Sequence, residues 1–181
     1  DHRDIVAGQS TVALEMLEHS PDLEAVLVPL SGGGLISGVG MVMKAANPSI
    51  RVIGISMERG AAMYESQKAG KPILVPELPT LADSLGGGIG LENRHTFAMT
   101  RKYVDELVLV TEAEIAAAIR HAYWHERQII EGSGSVGIAA LLAGKIKDPG
   151  RCIVLMTGQN IDMTLHHRII SGEDVDVTGE A

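Results

Sequence analysis

Three consecutive glycines, Gly32-Gly33-Gly34, separate the apolar run Ala25-Val26-Leu27-Val28-Pro29-Leu30 from a stretch that is apolar at helical spacing. Glycine lets the backbone take positive φ and approach a ligand closely. The N–H groups freed at the start of the following helix point at an anion, which the helix N-terminus also favours. A phosphate on the backbone of Gly32, Gly33, Gly34 and Leu35 is the chemistry this loop offers. A tight strand-to-helix turn without a ligand is the alternative. The nucleotide P-loop pattern is absent, and the dinucleotide fingerprint fails by one residue, because Ser37 stands where its third glycine belongs. Glu58, after the next strand, could imitate a ribose-binding acid, which keeps a nicotinamide site as a rival. Glycine-rich loops recur at 83–90 and 131–134, and a polar loop at 157–160 follows the last apolar run. Several strand-end loops converging on one crevice is how open α/β sheets build ligand sites.

The segments that would position these loops alternate in type. Residues 11–18 are apolar at helical spacing through Val12, Leu14, Met16 and Leu17, and Ser20-Pro21 closes them. Residues 24–30 suit a strand buried on both faces. A helix to about Ala46 follows the glycine loop, ended by Asn47-Pro48, and 51–56 reads as the next strand. This is a βαβ unit, so the fold expected is α/β, an open mostly parallel sheet with helices on both faces. Residues 61–68 read as helix, 70–79 as loop and 104–110 as strand. Thr111 with Glu114 forms a capping box opening a helix to about Ile130. The Gly-Ser run at 131–135 breaks the chain before a short helix at 136–143. Residues 151–156 read as a buried strand and 171–181 as a loose tail.

Composition narrows the function classes. The chain has 181 residues and a net charge of −8, which argues against a nucleic-acid partner. No apolar run reaches the length needed to cross a bilayer, so no membrane role is expected. Cys152 is the single cysteine, which excludes an internal disulfide and fits a reducing, cytoplasmic setting. The chain opens on Asp1 rather than Met and reads as though it starts within a fold.

Five motifs in order carry a resemblance: Ile5-Val6-Ala7-Gly8-Gln9-Ser10-Thr11, the run Val28 to Gly38 around the glycine loop, Leu81-Ala82-Asp83, Glu131-Gly132-Ser133-Gly134-Ser135-Val136-Gly137, and Leu155-Met156-Thr157-Gly158-Gln159-Asn160-Ile161-Asp162. Together they resemble the fold-type II pyridoxal-phosphate family of threonine/serine dehydratases and serine racemases. The loop Ala82 to Gly90 is most similar to the dehydratase associated with hydroxyectoine use. The resemblance implies that residues 1–170 form the C-terminal part of the larger, cofactor-binding domain. It implies pyridoxal 5'-phosphate as cofactor, held at Ser31, Gly32, Gly33, Gly34 and Leu35. Thr157 would face the pyridine nitrogen, Glu131 would stand near the ring, and the Asp83 segment would line the cofactor side. The implied reaction is elimination of water from a hydroxy-amino acid to a 2-oxo acid and ammonia. Racemisation and a non-catalytic phosphate-ligand module are the alternatives.

Departures surround the expected site. Ser31, Ser84 and Gln159 each replace a family glycine. The Schiff-base lysine of the family belongs to an upstream segment, so no catalytic residue is assigned in this chain, and the piece alone is expected to be inactive. That upstream segment and a second copy, giving a homodimer, are the expected partners. Ser56, Gly60 and Ala62 stand where some members place a cation-binding acid, so no metal is expected. His121 and His125 have a spacing that can hold zinc, but Ile129 stands where a protease motif needs histidine, and a solvated helix face is the expectation. Cys152, Met41 and Met43 read as packing residues, and Tyr123 and Trp124 as a junction or subunit contact.

Overall fold

The computed structural model describes residues 1–175 and 177. Four strands, β1 (Ala25–Pro29), β2 (Arg51–Met57), β3 (Glu106–Val110) and β4 (Cys152–Val154), form one sheet in the order β3-β2-β1-β4. Every pairing is parallel, with Leu27 opposite Ile53 on one side and Val154 on the other. The helices are α1 (Arg3–His19), α2 (Gly34–Ala46), α3 (Ala62–Ala69), α4 (Thr96–Tyr103), α5 (Glu112–Trp124), α6 (Gly132–Leu142) and α7 (Met163–Ile170), and a short 3-10 turn spans Asp83–Leu85.

Alternation along the central strands builds two apolar layers. Ala25 and Leu27 of β1, with Ile53, Ile55 and Met57 of β2, face the layer that contains α5 and α6. Val26 and Val28 of β1, with Val52 of β2, face the layer that contains α1 and α2. The α/β architecture expected from the βαβ pattern is therefore present, with helices on both faces.

Several elements differ from the sequence expectations. α1 begins at Arg3, well before residue 11, because His2 accepts the Asp4 N–H at its start. α5 ends at Trp124, not near Ile130: Gln128 N–H turns back to Ala122 O, and Arg127 sits at φ 58, which no helix tolerates. The Gly-Ser run at 132–135 is not a break but the buried first turns of α6. β4 is a short, half-buried edge strand rather than a buried run over 151–156. α4 and α7 are helices the sequence reading does not anticipate, although Asn93 accepts from Phe97 N at the start of α4 and Asp162 caps α7 by accepting from Leu165 N. Val175 and Val177 of the polar tail pack against the core on the α5–α6 side, while 176 and 178–181 lie outside the described residues. No helix among the described residues is long and apolar enough to cross a membrane.

The capping box at the start of α5 is complete. Thr111 Oγ1 accepts from Glu114 N, and Glu114 Oε2 accepts from Thr111 N at 2.7 Å. Lys145 Nζ donates to the same Oε2 at 2.6 Å and to Leu109 O at 2.9 Å. Burial pushes the Glu114 carboxyl up, but the Lys145 and Thr111 hydrogen bonds outweigh it and hold the group below its usual range. The unfolded chain therefore binds this proton more readily than the folded one, so the pair stabilises above the unfolded value and its contribution is lost as pH falls through the folded value. Lys145→Met should cost about 1 kcal/mol at neutral pH and clearly less at pH ~3, well below the free carboxyl value. Urea unfolding at both pH values checks this, and an equal cost at each would remove Glu114 as the cause.

Candidate functional site

β1 ends where Leu30 N–H donates to Ile55 O at 2.8 Å. The chain then turns through Ser31 and Gly32 to Gly33, the N-cap of α2, which lies at φ 86. The first helical bond in this turn is Ser37 N–H to Gly33 O at 3.0 Å. The N–H groups of Gly34, Leu35 and Ile36 precede it and have no intrahelical acceptor. No side chain caps this end, and its first turn carries no acid. An uncapped, acid-free helix start behind a left-handed glycine is a seat for an anion.

The floor beneath Gly33 comes from α3 and α4. A β-carbon at Gly33 would lie 2.8 Å from Met63 Cε, 2.9 Å from Thr100 Oγ1 and 3.2 Å from Thr96 Cβ. α4 is itself pinned: Asn93 Oδ1 accepts from Phe97 N at 2.9 Å, and the Asp1 carboxylate accepts from the N–H groups of Arg94, His95 and Thr96.

The opposite wall is built by α6, the 3-10 turn and the segment after β4. Glu131 is the N-cap of α6 and is only 8% exposed. Its Oε2 accepts from Ser84 Oγ at 3.2 Å, and its backbone N–H donates to Gly158 O at 3.2 Å. Ser133 is 2% exposed, and its hydroxyl finds no hydrogen-bond partner among the described residues. A cavity of about 260 Å³ lies between these walls, lined by Ser31, Gly32, Gly33, Gly34, Leu35, Ser84, Leu85, Glu131, Ser133, Thr157 and Gly158, with Pro29 and Ile36. It opens at the carboxyl ends of β1 and β4, where the chain order reverses across the sheet, which is the switch point of an open α/β fold.

Most of the residues singled out in the sequence meet here. Ser31, Gly32, Gly33, Gly34, Leu35, Glu131 and Thr157 share the cavity. Asp83 does not line it; it is exposed at the start of the 3-10 turn, and the next two residues, Ser84 and Leu85, supply the wall. Ser133 escaped the sequence reading because a Gly-Ser run resembles a chain break. Ser84 was visible only as a departure from a family glycine.

Other candidates lie elsewhere. Glu58 is exposed beyond β2, its N–H bonded to Val110 O, and it is absent from the cavity wall. His121 and His125 stack at 4.7 Å, with Glu126 3.4 Å from His121 Nε2, and no metal-holding cluster forms among the described residues. Trp124 Nε1–H donates to Ile170 O at 3.0 Å and Tyr123 meets the His166 ring, so these aromatics join α5 to α7. Lys44 is engaged by Pro48 O, Ile50 O and Asp105, and no lysine lines the cavity.

The donor set fits pyridoxal phosphate. The uncapped start of α2 suits the phosphate, exposed Thr157 offers a neutral hydroxyl, and the Ser133 hydroxyl, unpartnered among the described residues, adds a donor at the wall.

Comparison with known proteins gives the same cofactor. Residues 1–158 match the family described as pyridoxal-phosphate dependent enzyme. A Sinorhizobium fredii protein named "Putative threonine dehydratase" is 58% identical over 173 residues, 95% of this chain and 52% of that protein. A Thermotoga maritima L-threonine ammonia-lyase is 41% identical over 92% of this chain and 41% of its own length. Maize serine racemase superposes with a TM-score of 0.85 at 34% identity, covering 94% of this chain and 54% of that one. The chain thus spans about half the length of the curated relatives it matches. With fold, cavity and relatives in agreement, the chain belongs to the pyridoxal-phosphate dependent enzymes, among relatives named as threonine dehydratases and serine racemases.

Proposed function

We propose that this chain forms the phosphate-holding part of a pyridoxal-phosphate-dependent ammonia-lyase acting on a hydroxy-amino acid. The observation that carries the reading is the cavity at the switch point, where the anion seat of α2 shares a wall with Thr157 and Glu131. When bound, pyridoxal phosphate supplies an electron sink for the bonds broken at the substrate Cα. Gly32, Gly33, Gly34 and Leu35 bind the phosphate through backbone N–H groups, with Ser31 at the entry to the loop. Thr157 would offer a neutral hydroxyl to the pyridine nitrogen. A neutral partner of this kind would suit loss of a β-hydroxyl from the substrate. Water leaves, and hydrolysis of the resulting imine takes one water back, so the net products are a 2-oxo acid and ammonia.

Because no lysine lines the cavity, the residue that would tether the cofactor is assigned to the part of the relatives' length that this chain does not span, and residues 1–181 alone are assigned no turnover. The same part of the relatives' length is assigned to the groove beside edge strand β4, lined by Ile138, Leu141, Leu142, Val154 and Met156 with His121 and Glu126 on its wall. Homodimerisation and a cytoplasmic setting complete the proposal, the latter resting on the single cysteine.

Racemisation at the same site is the second reading, favoured by the likeness to serine racemases. An absorption scan of the full natural polypeptide with pyridoxal phosphate, before and after threonine or serine is added, separates the readings. A bound-cofactor band that changes with release of 2-oxo acid supports the lyase; inversion of configuration without 2-oxo acid supports the racemase. A band indifferent to both amino acids moves the substrate toward the hydroxyectoine branch suggested by the Ala82-Asp83-Ser84 loop. No bound band overturns the enzyme reading and leaves a phosphate-ligand module.

A further inference from the structure

The start of α6 leaves one buried hydroxyl without a partner among the described residues at the cavity wall. Ser133 and Ser135 sit in its first two turns, both buried. Ser135 satisfies itself in the ordinary way for a helical serine, its hydroxyl donating to Gly132 O at 2.9 Å. Ser133 does not, although it is 2% exposed and lines the cavity. Buried polar atoms are nearly always bonded, and an exception calls for an explanation. The unpartnered buried side-chain atoms among the described residues are Thr100 Oγ1, Ser133 Oγ and His166 Nε2, and of these residues only Ser133 is on the cavity wall.

Charge decides which end of an occupant Ser133 meets. The first turn of α2 carries no acid, so a dianionic phosphate is stabilised there. α6 opens on the buried Glu131 carboxylate, whose Oε2 is turned to Ser84. A phosphate beside Glu131 would place like charges together in a poorly solvated space. The neutral, polar ring end of the cofactor is therefore the part that belongs against α6. We propose that Ser133 is a further cofactor-contacting residue, its hydroxyl bonding a polar substituent on the ring of pyridoxal phosphate at the end away from the phosphate. The assignment rests on the reading of this cavity as the pyridoxal-phosphate site.

The test uses Ser133→Ala in the full natural polypeptide, with pyridoxal phosphate, pyridoxal and inorganic phosphate as separate probes, and urea unfolding of the cofactor-free protein as a readout independent of activity. Alanine removes one hydroxyl from a helix that tolerates it, so the cofactor-free variant should be as stable as the parent or more so. Pyridoxal phosphate and pyridoxal should each bind roughly five- to tenfold more weakly, the worth of one hydrogen bond, while inorganic phosphate binds equally. Unchanged affinity for pyridoxal phosphate in a folded variant overturns the assignment, and so does an equal loss for all three probes. A less stable cofactor-free variant with unaltered binding also overturns it, because the hydroxyl would then be structural. Failure of the unsubstituted protein to bind pyridoxal phosphate is a distinct result: it overturns the functional reading and this assignment together.

Discussion

Gly33→Ala should lower the affinity of the full polypeptide for pyridoxal phosphate at least about 100-fold, a loss of about 2.7 kcal/mol in binding, and destabilise the cofactor-free protein by about 2–3 kcal/mol. Two costs add. The residue lies at φ 86, where an L side chain is strained. Its β-carbon would also meet Met63 Cε at 2.8 Å, Thr100 Oγ1 at 2.9 Å and Thr96 Cβ at 3.2 Å. Met63 can swing its terminal methyl aside. Thr96 and Thr100 cannot retreat as easily, because Asn93 and Asp1 hold the start of α4. The strain is relieved by moving the first turn of α2, and that motion misaims the N–H groups on which the phosphate would sit. Gly32 and Gly34 have open space at the β-carbon and no positive φ, so alanine at either should perturb stability far less. Titration calorimetry with pyridoxal phosphate and with inorganic phosphate, alongside urea unfolding, checks the ranking. Binding by Gly33→Ala within about threefold of the parent would remove the α2 N-terminus as the phosphate seat.

The floor under Gly33 also shows where sequence reading stopped. The strand–loop–helix unit was legible because its signals are local: an apolar run, glycines at the turn and a helical period within two dozen residues. α4 was not, because what starts it comes from Asn93 and, far away in the chain, Asp1. α7 carries only a short local signal, the cap in which Asp162 accepts from Leu165 N, while the carbonyls at its end are taken by Arg120 and Trp124 of α5. The site divides the same way. Ser31 to Leu35 announced themselves by composition, whereas Glu131 and Thr157 were found only through the family resemblance. A 3-10 turn sets which of Asp83 and Ser84 faces inward, and one residue of register is beyond what the pattern Leu-Ala-Asp can fix. Ser133 is harder still, since a hydroxyl without a partner is a property of its surroundings and leaves no mark in the chain.

Gly132→Ala should be one of the most damaging glycine substitutions among the described residues, costing about 3 kcal/mol or more and weakening cofactor binding in whatever folded fraction survives. A β-carbon at Gly132 would run into the carbonyl carbon and oxygen of Leu81, and would lie 3.0 Å from Ala82 N. These are backbone atoms, so no rotamer relieves the clash. Nor can the segment back away. Glu112, at the start of α5, accepts from Leu81 N at 2.7 Å and from Thr80 Oγ1 at 2.5 Å, and Thr80 Oγ1 in turn accepts from Ala82 N. Leu81 and Ala82 are buried in the core on the α5–α6 side. The wall that must yield is therefore gripped from behind, and α6 must shift instead, taking Glu131 away from Ser84 and Ser133 off the cavity. Gly8→Ala is the matched control: Gly8 lies in the interior of α1 with nothing within 4 Å of its β-carbon, and alanine there should stabilise by about 0.5–1 kcal/mol. Urea unfolding of the pair gives opposite signs if close backbone approach is why residue 132 is glycine. A Gly132→Ala variant within about 1 kcal/mol of the parent would show that the start of α6 can slide, and the fixed wall argued for Glu131 and Ser133 would be lost with it.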